Sequence, residues 1–348
     1  MNIAAEGLED LVATIFQAAG SAEREARLIA HHLVASNLTG HDSHGVGLVR
    51  GYLAAVSRGD LRLNHQLAVM TDAGSLLLCD GGNGPGAVMA SAAMERGITR
   101  ARRDGVAIVG LRDSYHIGRI GAWAEQCAAA GLVSIHFVNV PAHAAVAAFG
   151  GTKARLGTNP FAAGFPCGDG TPVIVDFATS RWAVGKVQVA RRKGARVPQG
   201  ILLDAEGHET DDPAALFATP PGALLPFGEH KGFGLSLACE LLAGALLGAA
   251  TQHGAPSSAI TNSMLSVITS PGAFGGEAAY AERQDALLAW IVSERAEGRS
   301  IALPGEPERE RRARLLRDGI TLDAGTWSEL AEAAASVGID VSTYAADG

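Results

Sequence analysis

The stretch "SLLLCDGGNGPGA", residues 75–87, joins a short apolar run to a glycine-rich loop. An apolar run of this length that ends in glycines is typical of a buried β-strand. Gly82, Gly84 and Ala87 fit the pattern G-x-G-x-x-A, in which a loop between a strand and a helix binds a dinucleotide pyrophosphate. The stretch therefore decides between an α/β fold with a Rossmann motif and one without it.

Two features of the stretch argue against a Rossmann motif. Pro85 has no backbone N–H, so the loop has one donor fewer for a phosphate. The acidic residue expected about twenty positions after the glycines falls within the basic segment "RARRDG". We therefore predict that residues 81–87 form a structural glycine-rich turn, with a pyrophosphate loop as the alternative.

The chain after this loop alternates between apolar runs and helical patterns. The runs "VAIVGL" at 106, "LVSIHFVN" at 132 and "VIVDFA" at 173 predict strands, and residues 118–130 predict a helix. Alternation of this kind predicts an α/β fold.

Both ends of the chain have helical patterns instead. Ser21 is a predicted N-cap, and the helix after it is predicted to reach about Leu38. The chain again becomes charged and helical towards its end. We therefore predict an α/β domain at 75–284 that binds NAD(P) and holds the catalytic site, and a helical domain formed by residues 1–74 and 285–348.

The composition limits the possible partners. A chain of 348 residues that is 47% hydrophobic and 18% charged predicts one or two globular domains with a large core. The net charge of −8 argues against nucleic acid or an anionic membrane as the partner, so we expect a small molecule. The apolar stretch 237–250 is shorter than a bilayer span and contains Glu240, so we predict no membrane segment.

The cysteines and the first residues predict a cytoplasmic protein. Cys79, Cys127, Cys167 and Cys239 are far apart and form no C-x-x-C pair, which is typical of reduced thiols. The start "MNIAAEGLEDLVATIF" has no basic segment, unlike a signal peptide.

Four segments place polar side chains among apolar residues or glycines: "HDSHG" at 41, "DSYHIGRIG" at 113, "IVDFATS" at 174 and "PFGEHKGFG" at 226. Asp176 ends a predicted strand, where open α/β sheets bind ligands. Lys231 precedes a predicted helix and could face a phosphate together with the helix amides. Each segment also has a purely structural interpretation, as a core histidine or an exposed lysine. The histidines of "HDSH" lack further ligands at zinc spacing, so we predict no metal.

Together these segments resemble the type-2 malate/L-lactate dehydrogenase family. The stretches "SHGVGLVRGY", "HIGRIGAWAEQCAAAG", "LGTNPFAAGFP", "VDFATS", "LLPFGEHKGFGLSL" and "LPGE" occur in the order and spacing of that family, from about residue 10 to 340. The resemblance implies an NAD(P)-dependent 2-oxoacid reductase that acts as a homodimer. It also implies a dinucleotide-binding fold that is not a Rossmann fold, in agreement with the turn predicted at 81–87.

The resemblance also implies catalytic residues. His44, its neighbour Ser43 and Asp176 would form a relay-like polar set near the nicotinamide, and His116 would give a proton to the substrate oxygen. Histidine suits this role because it changes charge near neutral pH. We favour His116 as the donor, with His44 orienting the cofactor or the substrate, and His44 as the alternative donor.

The dinucleotide contacts implied by the resemblance lie in several separate loops, which would explain the lack of one compact binding motif. They are His44, Gly118, Arg119, Ile120, Ile174, Val175, Asp176, Phe177, Ala178, His230, Lys231, Asn262, Pro304, Gly305 and Glu306.

One position departs from the family pattern. Many members carry an arginine four residues after the counterpart of His44, where it can bind a substrate carboxylate, and this chain has Leu48. Arg50 is predicted to point away, so Arg119 is the predicted carboxylate anchor, or else a contact of the cofactor phosphate. Leu48 and Tyr52 are predicted to contact the substrate. An apolar Leu48 favours a bulky or aromatic 2-oxoacid such as phenylpyruvate or hydroxyphenylpyruvate over a small hydroxyacid of the malate or lactate type.

Two other functions compete with this one. Ser43, His44 and Asp176 could form a hydrolase triad, but adjacent helical residues point about 100° apart and no G-x-S-x-G surrounds the serine. A binding protein that keeps the fold without catalysis is the other alternative.

Overall fold

The structure is a computed structural model that describes residues 1–141, 144–253, 260–294, 300–342 and 344. Its α-helices are α1 (Ala5–Ala18), α2 (Glu23–Leu38), α3 (Val49–Arg58), α4 (Gly86–Asp104), α5 (Gly121–Ala129), α6 (Val184–Arg192), α7 (His230–Cys239), α8 (Glu277–Ser293), α9 (Glu306–Asp318) and α10 (Ala324–Ser336). Its strands are β1 (Asn2–Ile3), β2 (Ala68–Ala73), β3 (Leu76–Asp80), β4 (Val106–Tyr115), β5 (Val133–Asn139), β6 (Val146–Ala147), β7 (Ala154–Leu156), β8 (Phe161–Phe165), β9 (Val173–Phe177), β10 (Leu202–Leu203), β11 (Glu209–Thr210), β12 (Ala223–Leu224), β13 (Thr261–Thr269) and β14 (Ile320–Thr321).

The central sheet has seven strands in the order β2-β3-β4-β13-β5-β8-β9. Only β3 and β4 run parallel, and every other neighbouring pair in this sheet is antiparallel. The strands predicted at 106, 132 and 173 are β4, β5 and β9. The mixed α/β fold predicted from the sequence is therefore confirmed.

Helices α4 and α5 cover one face of this sheet. Their apolar side chains form a core with those of the strands, in which Met89, Met94, Val109, Leu111 and Met264 are almost completely buried. This packing fixes where β4 ends, and residue 116 follows directly at that end.

The glycine-rich loop 81–87 connects β3 to α4 as a tight turn. The amides of Gly81 and Asn83 donate to the carbonyl oxygens of Arg112 and Asp113 at 2.8 and 2.7 Å. The amide of Gly82 donates to the Asp80 carboxylate at 2.9 Å. Because these donors are already used within the chain, the loop has few amides left for a pyrophosphate, which supports the predicted structural turn.

Gly86 in the same turn allows a close backbone approach. A methyl group at this position would collide with the carbonyl oxygen of His116. The loop therefore packs directly against the first residue after β4, and helps to position it.

The two ends of the chain pack together. Residues of α1, α2 and α3 share one core with Ile320, Leu322 and Leu330, and β1 pairs with β14. A smaller sheet of short strands, in the order β11-β10-β12-β6-β7, packs with α6 in a separate core.

Two predicted helix starts differ from the structure. Ser21 is not the N-cap of α2, because Ala22 takes that position and the Ser21 hydroxyl instead donates to Glu25 at 2.6 Å. Helix α5 begins at Gly121 rather than 118, because Gly118 has a φ of +71° outside the helical region. Strand β2 pairs with β3, so the central sheet begins before residue 75, and α8 crosses the boundary placed after residue 284.

The four cysteines are free, and three of them are buried. Among the described residues, no helix is long and apolar enough to cross a bilayer.

Candidate active site

His116 follows β4, and its position is fixed by a hydrogen bond of the next residue, Ile117. The amide of Ile117 donates to Oδ1 of Asn262 at 3.1 Å, and Nδ2 of Asn262 donates to the carbonyl of Asn139 at 3.2 Å. Asn262 lies in β13, the strand between β4 and β5. The predicted cofactor residue Asn262 thus has a structural role here, since it fixes the turn that carries His116.

The side chains of Tyr52, His116 and His44 form a row, with His116 in the middle. The hydroxyl of Tyr52 lies 2.6 Å from Nδ1 of His116. On the other side of the ring, Nε2 of His116 lies 3.3 Å from Nδ1 of His44, and the two imidazoles stack with their centroids 5.3 Å apart. Both histidines are half-buried, whereas Tyr52 is 6% exposed. The two imidazoles predicted to be catalytic are therefore in contact.

Both imidazoles are neutral at neutral pH. Burial, with His44 and His32 nearby, holds the pKa of His116 well below its usual value. Burial, with smaller effects from His41 and Arg119, lowers the pKa of His44 to about 4. Either ring can thus accept a proton as a base, whereas proton donation first requires that the ring be charged.

Asp176 lies near the end of β9, beside the guanidinium group of Arg119. Its Oδ2 accepts from the amide of Gly121 at 2.9 Å and lies 3.8 Å from Nη1 of Arg119. Burial raises the pKa of Asp176 to about 6, although Arg119 and the Gly121 amide oppose the shift. Arg119 itself is buried and donates to Glu125 at 2.6 Å.

Ser43, His44 and Asp176, predicted as a relay-like polar set near the nicotinamide, are not joined by hydrogen bonds within the described residues. The exposed Ser43 packs against Gly185 and makes no hydrogen bond to His44 or Asp176 in the described part of the chain. The partner of the His116 ring is Tyr52 rather than an aspartate. The reason is the backbone: Gly45 is extended between two 3-10 turns, so residues 42–48 are not one helix. The same geometry provides no hydrolase triad.

Several of the predicted cofactor residues lie on or next to strand β9. The amide of Ile174 donates to the carbonyl of Pro304 at 3.0 Å, and Gly305 packs against Ile174. Glu306 closes that turn by accepting from the amide of Leu303 at 2.8 Å. The segments 304–306 and 174–178 are therefore adjacent.

Two further segments contact β9, at Asp176 and at Phe177. Asp176 contacts Gly121, which directly follows the predicted residues Gly118, Arg119 and Ile120. The exposed ring of Phe177 packs on Phe227 with centroids 5.3 Å apart, and the carbonyl of Phe227 accepts from Gly232 in the first turn of α7. Of the other predicted residues on β9, Ile174 is buried and Val175 is half-buried. Ala178, directly after β9, is also half-buried.

The first turn of α7 carries an exposed imidazole and an exposed ammonium group. His230 and Lys231 are exposed, and His230 packs its ring edge against Phe149 at 5.9 Å. The N-cap residue Glu229 has a φ of +60°, a conformation uncommon for a residue with a side chain. The amides of Lys231 and Gly232 already donate to the carbonyl oxygens of Gly228 and Phe227 at 3.2 and 2.9 Å, so the exposed ammonium group of Lys231 is the group in this turn that suits a phosphate.

Leu48 does not lie one helical turn after His44, because residues 42–48 are not one helix. It caps α3 with helical backbone angles, so it lies one turn before Tyr52 on the same side of that helix. The outward direction predicted for Arg50 is confirmed, because this exposed side chain pairs with Glu332 at 3.1 Å. Arg119 uses one hydrogen bond, to Glu125, which leaves other guanidinium donors for an anion.

His32 is a residue of this region that the sequence did not indicate. It lies in α2 with its ring stacked 5.0 Å from that of Trp123, and its buried Nε2 has no hydrogen-bond partner among the described residues. A methyl group at Gly118 would collide with this imidazole. A histidine within the apolar stripe of α2 was the one available signal, and it is also typical of an ordinary core residue.

Among the described residues, no group of three or more His, Cys, Asp or Glu side chains is placed to hold a metal ion. The polar groups of the site are thus two neutral imidazoles, a phenol, a carboxyl group and a buried guanidinium.

Comparisons with known proteins agree on one family. A sequence model described as malate/L-lactate dehydrogenase matches residues 3–331. Hydroxycarboxylate dehydrogenase B of Escherichia coli is 44% identical over 98% of this chain and 96% of that protein. L-lactate dehydrogenase of Cupriavidus necator is 36% identical, covering 90% and 92%.

A solved structure has the same fold. Sulfolactate dehydrogenase of Methanocaldococcus jannaschii superposes with a TM-score of 0.90 at 31% identity, covering 99% of this chain and 100% of that one.

Proposed function

This chain belongs to the malate/L-lactate dehydrogenase family, and from that premise we propose that it reversibly reduces bulky or aromatic 2-oxoacids to 2-hydroxyacids. It is an oxidoreductase that acts on hydroxyacids, and its cofactor is NAD or NADP. The observation that carries the proposed preference is Leu48, an apolar side chain one turn before Tyr52 on the side of α3 that faces His116.

The residues around β9 fit a dinucleotide. Lys231 at the start of α7 would hold a phosphate, and the exposed ring of Phe177 offers an apolar contact. Gly118 has a φ of +71° and leaves room that a side chain would fill. These features belong to segments that meet at β9, as one extended ligand requires. When bound, the reduced nicotinamide supplies the hydride for the substrate carbonyl.

His116 moves the proton of the reaction. For oxidation of a hydroxyacid, the neutral ring can accept the hydroxyl proton at Nε2 in the tautomer whose hydrogen lies on Nδ1. For reduction, the ring must first be charged, and a bound 2-oxoacid favours this because its carboxylate raises the pKa of a nearby imidazole. We propose that His116 donates this proton to the carbonyl oxygen and that His44 orients the substrate beside it.

Arg119 is the proposed anchor of the substrate carboxylate, or of a cofactor phosphate. It is buried, and most of its donors are not used by Glu125. A buried guanidinium binds an anion strongly because water competes little there.

The relatives bear names of enzymes for several hydroxyacids, including L-lactate and sulfolactate. A preference for such small acids is the alternative for this chain. Leu48 disfavours it, because an apolar residue adds no cation for a second acidic group and gives a phenyl ring a surface to bury against. Burying a ring of that size is worth about 1.5–3 kcal/mol, or roughly tenfold to a hundredfold in specificity.

The experiment is a panel of 2-oxoacids with NADH and with NADPH, followed by the absorbance of the reduced nicotinamide. We expect kcat/KM to favour phenylpyruvate or hydroxyphenylpyruvate over oxaloacetate, and Leu48→Arg to narrow or reverse that ratio. Leu48→Met is the matched control, since it keeps the position apolar and should keep the ratio. A tenfold preference of the unchanged enzyme for oxaloacetate would refute the apolar-pocket argument.

We also propose that the protein is a homodimer, as the family resemblance implies, and that α8 contributes to the interface. None of the residues of this helix is fully buried, and Leu287 and Trp290 are 52% and 74% exposed. A long helix that packs little against its own chain is marginally stable alone, and exposed apolar side chains mark contact surfaces. The free cysteines suit a reducing compartment, so we propose a cytoplasmic location.

A further inference from the structure

We propose that Tyr52 is a positioning residue that keeps Nε2 of His116 turned towards the substrate by holding Nδ1 in both protonation states of the ring. This inference rests on the proposed role of His116 in proton transfer. Tyr52 had been expected only to contact the substrate.

The hydroxyl of Tyr52 has a fixed position. Its ring packs edge-on against Tyr115 and Phe16, with centroids 5.2 and 6.3 Å away, and 6% of the residue is exposed. The residue lies in the middle of α3, so its backbone is held by the helix. The 2.6 Å contact between Oη and Nδ1 of His116 therefore restrains the imidazole rather than the phenol.

In the neutral state, Tyr52 donates to His116. Within the described residues, the hydroxyl has no hydrogen-bond partner other than Nδ1 of His116, and a buried donor without a partner is costly. The hydrogen of the neutral ring then lies on Nε2 and points to Nδ1 of His44 at 3.3 Å. That distance is long for a hydrogen bond, so an incoming substrate oxygen can replace His44 as the acceptor.

In the charged state, the same contact reverses. Nδ1–H of the imidazolium donates to a lone pair of the Tyr52 oxygen, while Nε2–H faces the substrate. When the Nε2 proton passes to the carbonyl oxygen, the ring is left neutral with its hydrogen on Nδ1 and Tyr52 still as the acceptor, and a proton from solvent then recharges the ring at Nε2 for the next turnover. Burial raises the pKa of Tyr52 well above its usual value, so the phenol keeps its own proton throughout.

The test removes only the hydroxyl. In Tyr52→Phe the imidazolium loses its acceptor at Nδ1, so we expect the pKa of His116 in the substrate complex to fall. The variant loses the stronger bond to the charged ring and the weaker bond to the neutral ring, and the difference between them corresponds to about one pKa unit. The alkaline limb of kcat for reduction should therefore move by about one pH unit to lower pH, with KM changed by less than about twofold.

Tyr115→Phe is the matched control. It removes the hydroxyl of the neighbouring buried tyrosine. The ring of Tyr115 packs against that of Tyr52, but its hydroxyl does not bond to His116. We expect its pH profile to overlay that of the unchanged enzyme.

An unmoved alkaline limb in Tyr52→Phe would overturn the proposal. A loss of equal size at every pH, or a rise in KM alone, would also overturn it, because a packing role or a substrate contact would then suffice. A second measurement is independent of activity: nitrogen chemical shifts of neutral His116 should place the hydrogen on Nε2 in the unchanged protein, and a hydrogen on Nδ1 would contradict the proposal.

His116→Ala separates this inference from the function on which it rests. We expect it to lower turnover by about 10²–10⁴ at every pH. Turnover within a few fold of the unchanged enzyme would refute the donor role of His116 itself. A large loss in His116→Ala together with an unmoved limb in Tyr52→Phe would refute the role of Tyr52 alone.

Discussion

Asp176 illustrates at the scale of a residue how neighbours from distant parts of the chain set the chemistry of a group. Its position at the end of β9 could be predicted from the apolar run before it. Its environment could not, because Gly121 and Arg119 come from the segment after β4 and meet it only in the folded chain. This environment buries the carboxyl group without a short bond to the guanidinium, which is why its pKa is raised to about 6.

This raised pKa predicts the pH dependence of stability. Between about pH 4 and 6 the folded chain keeps a proton on Asp176 that the unfolded chain has already released, so the contribution of Asp176 to the free energy of unfolding falls as pH rises. Asp176→Asn cannot ionise and can still accept from Gly121. We expect the free energy of unfolding of this variant, relative to the unchanged protein, to increase by about 1–3 kcal/mol from pH 4 to pH 7.

Urea unfolding at four pH values across this window measures the effect. Asp169→Asn, at an exposed position, is the control and should give a difference that does not change with pH. A difference for Asp176→Asn that stays flat or declines with pH would contradict the prediction.

At the scale of an element, β9 and α7 together carry most of the dinucleotide site that we propose. The sequence predicted β9 as a strand and a helix after Lys231, and both are present. Their adjacency depends on the packing of Phe177 against Phe227, which no pattern in either segment indicates. The loop 81–87 is the opposite case, since Pro85 and the basic segment at the position expected for the acidic residue were enough to favour a structural turn.

Lys231 provides the test at this scale. Removing its ammonium group should weaken dinucleotide binding by about 1.5–3 kcal/mol, or roughly tenfold to a hundredfold in Kd, because a hydrogen bond to a charged phosphate is lost. Calorimetric titration of Lys231→Ala with NADH and NADPH measures this. Lys193→Ala, an exposed lysine after α6, should leave both affinities unchanged. Unchanged affinity in Lys231→Ala would make this lysine an ordinary surface residue.

At the scale of the whole molecule, α8 is a long helix in which no residue is fully buried by its own chain. Trp290→Glu places a charge on its exposed apolar side, where a partner chain would have to bury it. We expect this variant to be a monomer in light scattering after gel filtration at concentrations where the unchanged protein is a dimer. Leu316→Glu, at a 54% exposed leucine of α9, is the control and should remain a dimer.

A dimer that persists in Trp290→Glu would show that α8 is outside the interface. A monomeric unchanged protein would refute the homodimer itself.

The sequence by itself determined the class of the fold, the strands β4, β5 and β9, and the histidines at 44 and 116. Local signals suffice for these, because apolar periodicity reflects burial along a single segment and the family motifs are contiguous. Only the tertiary structure decided which side chains meet: Tyr52 on the ring of His116, Arg119 beside Asp176, and His32 behind Gly118. The physical reason is that these contacts join residues of α3, β9 and α2 to the segment after β4, and their partners are fixed by helix and sheet packing rather than by spacing along the chain.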